Sequence, residues 1–275
     1  AVVVGMGGYV SLPFMLAARG RYPMVILEQN SVPGLANRVA GRWAKLIAAT
    51  YEESRGHFSY PKKVIITGNP VRRAVLNIDR NKALQRLSLS ADKRTILIFG
   101  GSRGARRINQ AAVGIYPIIR KQNNIQIIHI TGKQEFERTT SLLDEFQAGT
   151  VKVDYHLYPY IKEIWLAYAA ADLIVGRAGA TTLAEITAAG LPAILIPYPY
   201  ATDNHQLKNA TVLKRAGAAE IVLDNQINSA LLWEKISDII FHEDRLNTMS
   251  QASLKAGRPA AAERIAELIL EAAED

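Results

Sequence analysis

Thr95-Ile96-Leu97-Ile98-Phe99-Gly100-Gly101-Ser102-Arg103-Gly104-Ala105 is the stretch from which the rest of the chain is read. After Thr95, Ile96 to Phe99 form an unbroken apolar run. A strand without polar alternation is buried on both faces, so it belongs in a parallel sheet covered by helices. The glycines that follow turn the chain and remove the Cβ atoms that would keep a ligand from the backbone N–H groups. A helix opening near Ala105 brings unpaired donors and a partial positive charge to the same place. Gly100, Gly101 and Gly104 therefore read as a phosphate loop, and otherwise as a tight strand-to-helix turn. Ser102 donates a hydroxyl there or caps the helix. Arg103, Arg106 and Arg107 add positive charge or face solvent. The loop is neither a Walker A sequence nor Gly-x-Gly-x-x-Gly.

Outward from this loop, short apolar runs alternate with helical patterns. Strands are expected at 2–4, 24–27, 46–49, 63–67, 95–99, 125–130, 151–154, 173–175, 193–196 and 220–222. Alternating β and α units predict an α/β chain of two Rossmann-like, doubly wound domains. Residues 1–75 form the first domain. A charged linker at 76–94 carries a short helix at 82–87, residues 95–257 form the second domain, and 258–275 hold a last helix packing back on the first. Two further helices are expected at 227–241 and 243–255, and Pro259 is expected in the first turn of the last one. The chain opens in mid-strand on Ala1-Val2-Val3-Val4 rather than on Met, so a segment upstream is expected and the first domain is read as truncated at its N-terminus.

The chain has 275 residues, 49% of them hydrophobic, which is enough for real cores. It has no cysteine, which excludes disulfides, thiolate metal sites and cysteine nucleophiles. The net charge of +8 reads equally as the mark of an anionic partner (phosphate, nucleic acid or an acidic membrane surface) and as ordinary solubility charge. No apolar run approaches the roughly 18 residues of a membrane span.

Two more loops follow buried strands. Gly176-Arg177-Ala178-Gly179-Ala180-Thr181-Thr182-Leu183-Ala184-Glu185 again leads from strand to helix, with small residues where a ligand would lie. Glu185 either accepts hydrogen bonds from a ribose or closes a capping box with Thr182. Pro197-Tyr198-Pro199-Tyr200-Ala201-Thr202-Asp203-Asn204-His205-Gln206 offers polar groups, with Asp203 and Gln206 as an alternative capping pair. In open α/β sheets ligands sit beyond the carboxyl ends of the strands, and all three loops lie on that edge. Phosphate donors, a ribose acceptor and sugar-type polar groups together describe a site for a nucleotide diphosphate carrying a sugar. In the first domain, Gly5-Met6-Gly7-Gly8-Tyr9-Val10-Ser11 is another glycine turn, and Glu28-Gln29-Asn30 follows a strand. Gly68-Asn69-Pro70-Val71-Arg72 closes the domain and places Arg72 near the cleft. No metal-ligand spacing and no Ser/His/Asp order stands out.

These motifs, in this order and over nearly the whole chain, resemble the MurG family of bacterial transferases, glycosyltransferase family 28. Ala189-Gly190-Leu191-Pro192 and His205-Gln206-x-x-Asn209-Ala210 extend the match. The resemblance implies a two-domain GT-B fold. It also implies inverting transfer of N-acetylglucosamine from UDP-N-acetylglucosamine to the muramyl C4 hydroxyl of lipid I, giving lipid II, with no cofactor and no metal. Its implied partners are the donor, the undecaprenyl-linked acceptor and the anionic cytoplasmic membrane surface, where the protein is peripheral; no nucleic acid is expected. Asn30 matches a position near the donor sugar, and Arg72 and Ser102 match nucleotide contacts. Ile161 matches a backbone contact to uracil. Ala180, Thr181, Thr182, Leu183, Ala184 and Glu185 line ribose and diphosphate, with Glu185 as the ribose acceptor, and Gln206 matches a sugar-hydroxyl contact. Leu27 stands where the family commonly has histidine. The family's opening Gly-Gly-Thr-Gly-Gly-His loop, which carries a histidine proposed in acid/base work, is not in this sequence. No residue of the chain is assigned as catalytic, and the general base is expected upstream.

Three rivals share these features. Another GT-B enzyme, such as a glycolipid glycosyltransferase or a UDP-sugar 2-epimerase, uses similar nucleotide loops. A donor-binding but catalytically incomplete fragment fits the missing loop. A dinucleotide oxidoreductase is disfavoured by the glycine spacing.

Overall fold

The structure is a computed structural model, and it describes residues 1–8, 10–77, 79–101, 105–120, 122–147 and 153–274. Two parallel sheets organise it. The first holds β1 (Val3–Gly5), β2 (Met24–Glu28), β3 (Leu46–Ala49) and β4 (Val64–Ile66) in that order. The second holds β5 (Arg94–Phe99), β6 (Ile125–Ile130), β7 (Asp154–Tyr158), β8 (Leu173–Gly176), β9 (Ala193–Leu195) and β10 (Ala219–Ile221), ordered β10-β9-β8-β5-β6-β7. That order reverses between β5 and β8, and a crevice opens at such a switch point. Among the described residues the first sheet winds in one direction only, so the reversal lies in the second domain.

The double burial expected of β5 is visible residue by residue. Ile96 and Ile98 enter one core with Ile127, Val175 and Ile194. Leu97 and Phe99 enter the other with Ile128, Ile174 and Leu195. The period of two sends alternate side chains to opposite faces. Helices Arg106–Gly114, Phe136–Gln147 and Ser229–Ile240 cover the first face. Helices Ile164–Ala170, Ala180–Ala188 and His205–Arg215 cover the second.

Residues 76–94 contain the helix Arg80–Arg86, and its Ala83 and Leu84 are buried in the core of the second sheet. Arg80 donates to both carboxylate oxygens of Asp172, at 3.1 and 2.9 Å, which ties that helix to the start of β8. The strand expected at 151–154 is displaced: residues 151 and 152 lie outside the described ones, and β7 runs from Asp154 to Tyr158. The last helix, Ala261–Glu274, begins two residues beyond Pro259, which sits in the turn before it. Its Ala261, Ile265, Leu268 and Ala272 are buried, at helical spacing. Ile265 and Ala272 join Val25, Leu27 and Ala48 of the first sheet in one cluster. Gly68, at φ 88°, allows this return: a Cβ there would stand 2.4 Å from Cβ of Arg258.

Candidate functional site

The carboxyl ends of β5 and β8 carry the glycine loop and the helix Ala180–Ala188. Gly101 takes φ 88°, the left-handed conformation that suits glycine. Ser102, Arg103 and Gly104 lie outside the described residues. Gly179 is the N-cap of the helix, extended and without a side-chain cap, so the first amides of the helix keep their capacity for an anion. The capping box between Thr182 and Glu185 does not form.

Glu185 has other partners. Its side chain is 5% exposed. Oε1 faces the Arg72 guanidinium, 2.9 Å from Nε and 2.7 Å from Nη2. Oε2 accepts from the Tyr168 hydroxyl at 3.1 Å. A buried carboxylate needs such donors because desolvation opposes its charge. Burial first, and then the Glu185 charge, push the Tyr168 phenol well above its ordinary range, so it stays a donor. Arg72 reaches in from the end of the first domain, half exposed, with its guanidinium 5.4 Å from the Trp165 ring centre.

These groups line a pocket of about 210 Å³ together with Phe99, Gly101, Ile130, Ile161 and Thr182. Phe99, Ile130, Ile161 and Ile164 give it an apolar lining, and Glu185 gives it a carboxylate. A second recess of about 620 Å³ adjoins it, lined by Gly100, Gly101, Arg106, Arg177, Gly179, Thr182, Tyr198 and Gln206. A third, about 480 Å³, lies between the domains and is lined by Met6, Gln29, Asn30, Asn69, Ala180, Thr181 and Thr182. Gly101 and Thr182 are common to the first two, and Gly179 and Thr182 to the last two. The three recesses therefore form one trough running from an apolar end, past helix amides, into the cleft.

The expected residues divide. Asn30, Arg72, Gly100, Gly101, Ile161, Ala180, Thr181, Thr182, Glu185 and Gln206 all line this trough. Leu183 does not: it is fully buried in the second core, because it lies on the face of the helix turned to the sheet. Ala184 faces a separate cavity beside Tyr51 and Arg258. Gln206 is no capping partner of Asp203. Its Oε1 accepts from the amides of Tyr198 at 2.9 Å and Ala178 at 3.2 Å, joining the loops after β8 and β9. Arg177 is also a brace: it donates to the carbonyls of Ile196 and Pro197 and pairs with Asp224 at 2.6 Å.

Across the cleft, Glu28 ends β2 with 2% exposure. Burial raises its pKa, against the hydrogen bonds from Asn30, Asn37 and Gly34 that lower it. Glu28 Oε1 accepts from the Asn30 amide at 2.8 Å and from its Nδ2 at 3.3 Å, which orients Asn30. Asn209, fully buried, donates to Asn30 Oδ1 at 3.0 Å and accepts from Ser31 N and Oγ at 2.8 and 2.9 Å. The domains are thus tied by Arg72–Glu185 on one side and by Asn209 on the other. Leu27, in the place of a histidine, packs in the apolar cluster under the last helix. Sequence reading missed Tyr168 and Asp224. For Tyr168 a signal existed, since a buried tyrosine hydroxyl needs a partner, but nothing pointed to which one.

Comparison with known proteins agrees with this layout. The model of the glycosyltransferase family 28 C-terminal domain matches residues 95–265, and that of the N-terminal domain matches 1–49. A protein of Halothermothrix orenii named UDP-N-acetylglucosamine--N-acetylmuramyl-(pentapeptide) pyrophosphoryl-undecaprenol N-acetylglucosamine transferase is 43% identical over 98% of this chain and 73% of its own length. Its namesake from Desulforamulus reducens is 41% identical over 94% and 70%. The crystal structure of Acinetobacter baumannii MurG superposes with a TM-score of 0.77 at 29% identity, over 98% of this chain and 73% of that one. The two parallel-sheet domains are those of the GT-B fold, and the chain belongs to glycosyltransferase family 28, the MurG family.

Proposed function

We propose that the chain transfers N-acetylglucosamine from UDP-N-acetylglucosamine to the muramyl C4 hydroxyl of lipid I, giving lipid II for peptidoglycan synthesis. The observation that carries this reading is the trough at the β5–β8 switch point. It joins an apolar base pocket, a buried carboxylate, free helix amides and a polar interdomain recess in the order in which a uridine diphosphate sugar presents uracil, ribose, diphosphate and sugar.

The base lies against Ile161 and Phe99, and the ribose hydroxyls donate to Glu185. The diphosphate meets the amides of Gly101 and of the helix that opens at Ala180, with Arg72 beside it. Gln206 and Asn30 face the sugar. As the bond from C1 to the diphosphate breaks, charge grows on the leaving UDP. Donors already aimed at it stabilise that transition state without reorganising. The acceptor hydroxyl attacks from the opposite face, which inverts C1, and its proton passes to a base on the acceptor side of the cleft. Peripheral contact with the anionic cytoplasmic face of the membrane fits the net charge of +8 and the exposed Val10 and Phe14 of the first domain. No described helix is long and apolar enough to cross a membrane.

Titration calorimetry tests the donor half: UDP binds and ADP binds at least about tenfold more weakly. Absence of UDP binding overturns the reading. Incubation with labelled UDP-N-acetylglucosamine and a lipid I analogue tests the reaction. Labelled disaccharide lipid supports it, whereas N-acetylmannosamine released without acceptor identifies an epimerase instead.

A further inference from the structure

Glu185 is presented to the pocket by a helix that gives its carboxylate no hydrogen bond of its own, since the N-cap is Gly179 and no side chain caps the helix. Carboxylate torsions of glutamate are broad and roughly two-fold, so a helix alone does not set which oxygen faces a ligand. Two groups set it here. Arg72 takes Oε1 through Nε and Nη2, and Tyr168 takes Oε2. They differ in permanence. Arg72 is half exposed, on extended backbone at the end of the first domain. Tyr168 is 3% exposed, on the helix Ile164–Ala170, whose Leu166, Ala167 and Ala170 are buried in the second core. Its ring stands 6.1 Å from that of Phe99 at 57°, fixed at the end of β5.

We infer that Tyr168 is the positioning residue of the ribose acceptor: its hydroxyl pins Oε2 of Glu185 and so turns Oε1 toward the pocket, where the ribose replaces Arg72. The inference rests on the proposed pairing of Glu185 with ribose. An ionised carboxylate only accepts, with about four lone-pair sites, and three donors already occupy it. Two ribose hydroxyls bring the total to five, one more than the carboxylate accepts, so one partner leaves; departure of Arg72 frees two sites and leaves three bonds, one from Tyr168 and two from the ribose. The exposed guanidinium moves out and the buried phenol stays. Without the phenol, a carboxylate released by Arg72 has no fixed partner, and its orientation for the two hydroxyls is lost.

The test compares UDP with 2′-deoxy-UDP by titration calorimetry on the wild-type chain and on Y168F, E185Q and Y168F/E185Q. A hydrogen bond to a charged group corresponds to a factor on the order of ten or more in affinity. The wild type is expected to prefer UDP by about that factor, and Y168F to retain less than about threefold preference with an unchanged circular dichroism spectrum. In the E185Q background the hydroxyl has no charge to orient, so Y168F is expected to change UDP affinity by less than about twofold; coupling of this kind separates positioning from packing. Y168F that keeps the full wild-type preference, or that loses equal affinity in both backgrounds, overturns the role of Tyr168 and leaves the ribose pairing of Glu185 standing. A wild type that binds both nucleotides equally overturns the ribose pairing itself, and the inference with it.

Discussion

At the scale of single residues, the site is governed by where charge is buried. Arg72 neutralises Glu185, and on the proposed reading it exchanges that carboxylate for the diphosphate when the nucleotide enters. Removing it has two opposite effects. Glu185 loses a competitor for the ribose, and the diphosphate loses a cation. R72A is therefore expected to bind uridine as well as or better than the wild type while binding UDP roughly tenfold more weakly. The ratio of the two dissociation constants, measured by calorimetry, checks this, and an equal loss for both ligands would count against the exchange. His129 shows the same principle away from the site. It is fully buried in β6, hydrogen-bonded to Asn109 Oδ1 at 3.0 Å and to the Tyr155 hydroxyl at 2.8 Å, and burial lowers its pKa to about 3. The unfolded chain titrates near 6.5, so between these values the unfolded state binds more protons. The stability contributed by neutral His129 is fully present above pH 6.5 and is lost as pH falls toward 3, by about 1.4 kcal/mol per unit. Glu28 acts with the opposite sign, because its pKa is raised and stability is lost as pH rises through it. Urea denaturation of H129Q beside the wild type cancels the Glu28 contribution. H129Q starts less stable, and its deficit is expected to shrink between pH 7 and pH 5.

At the scale of elements, the helix Ala180–Ala188 explains which part of the site was legible beforehand. The glycine loop, the small residues after β8 and the carboxylate one turn into the helix were all readable, because each is local. The helical period divides the same segment between two faces. Thr182 and Glu185 share the trough face, whereas Leu183 points into the core and Ala184 to another cavity. L183A is thus expected to cost about 2–5 kcal/mol of stability and to leave UDP affinity within about twofold, as urea titration and calorimetry on the folded protein would record. A tenfold loss of affinity would restore Leu183 to the ligand-binding set. The central strands were legible for a related reason: β2, β3, β5, β8 and β9 are largely the short apolar runs that a two-sided core requires. β7 was displaced because Asp154-Tyr155-His156-Leu157-Tyr158 lies at the sheet edge, half-buried throughout, and reads as polar. What the sequence could not show were pairings over long separations. Arg72 meets Glu185 across 113 positions and Asn209 meets Ser31 across 178. No local pattern announces such contacts. The same limit hid Tyr168, whose partner stands on the next helix, 17 positions on and beyond β8.

At the scale of the whole molecule, the trough exists only because two sheets are held edge to cleft, and few side chains hold them. The last helix returns from the second domain to seal Val25, Leu27 and Ala48 of the first, and Gly68 leaves room for its entry. On the cleft side the tie is polar. Asn209 is fully buried and satisfies Asn30 and both groups of Ser31 at once. Because Asn209 lies on a helix of the second domain and Asn30 and Ser31 follow β2 of the first, this network resists opening rather than unfolding of either core. N209L keeps the number and branching of the side-chain heavy atoms and removes every one of these bonds, leaving the Ser31 amide and hydroxyl buried without a partner. An unsatisfied buried polar group costs about 1–3 kcal/mol, but opening the cleft lets water satisfy it, so the strain is relieved by separation of the domains. N209L is therefore expected to keep both cores folded, with an unchanged circular dichroism spectrum, and to show a larger radius of gyration in small-angle scattering than the wild type. Adding a UDP-sugar that bridges Gln206 and Asn30 should reverse part of that expansion, since a ligand favours the state it binds best by its differential affinity for the two. An unchanged radius together with a lowered melting temperature would instead place Asn209 in the stability of the second core alone.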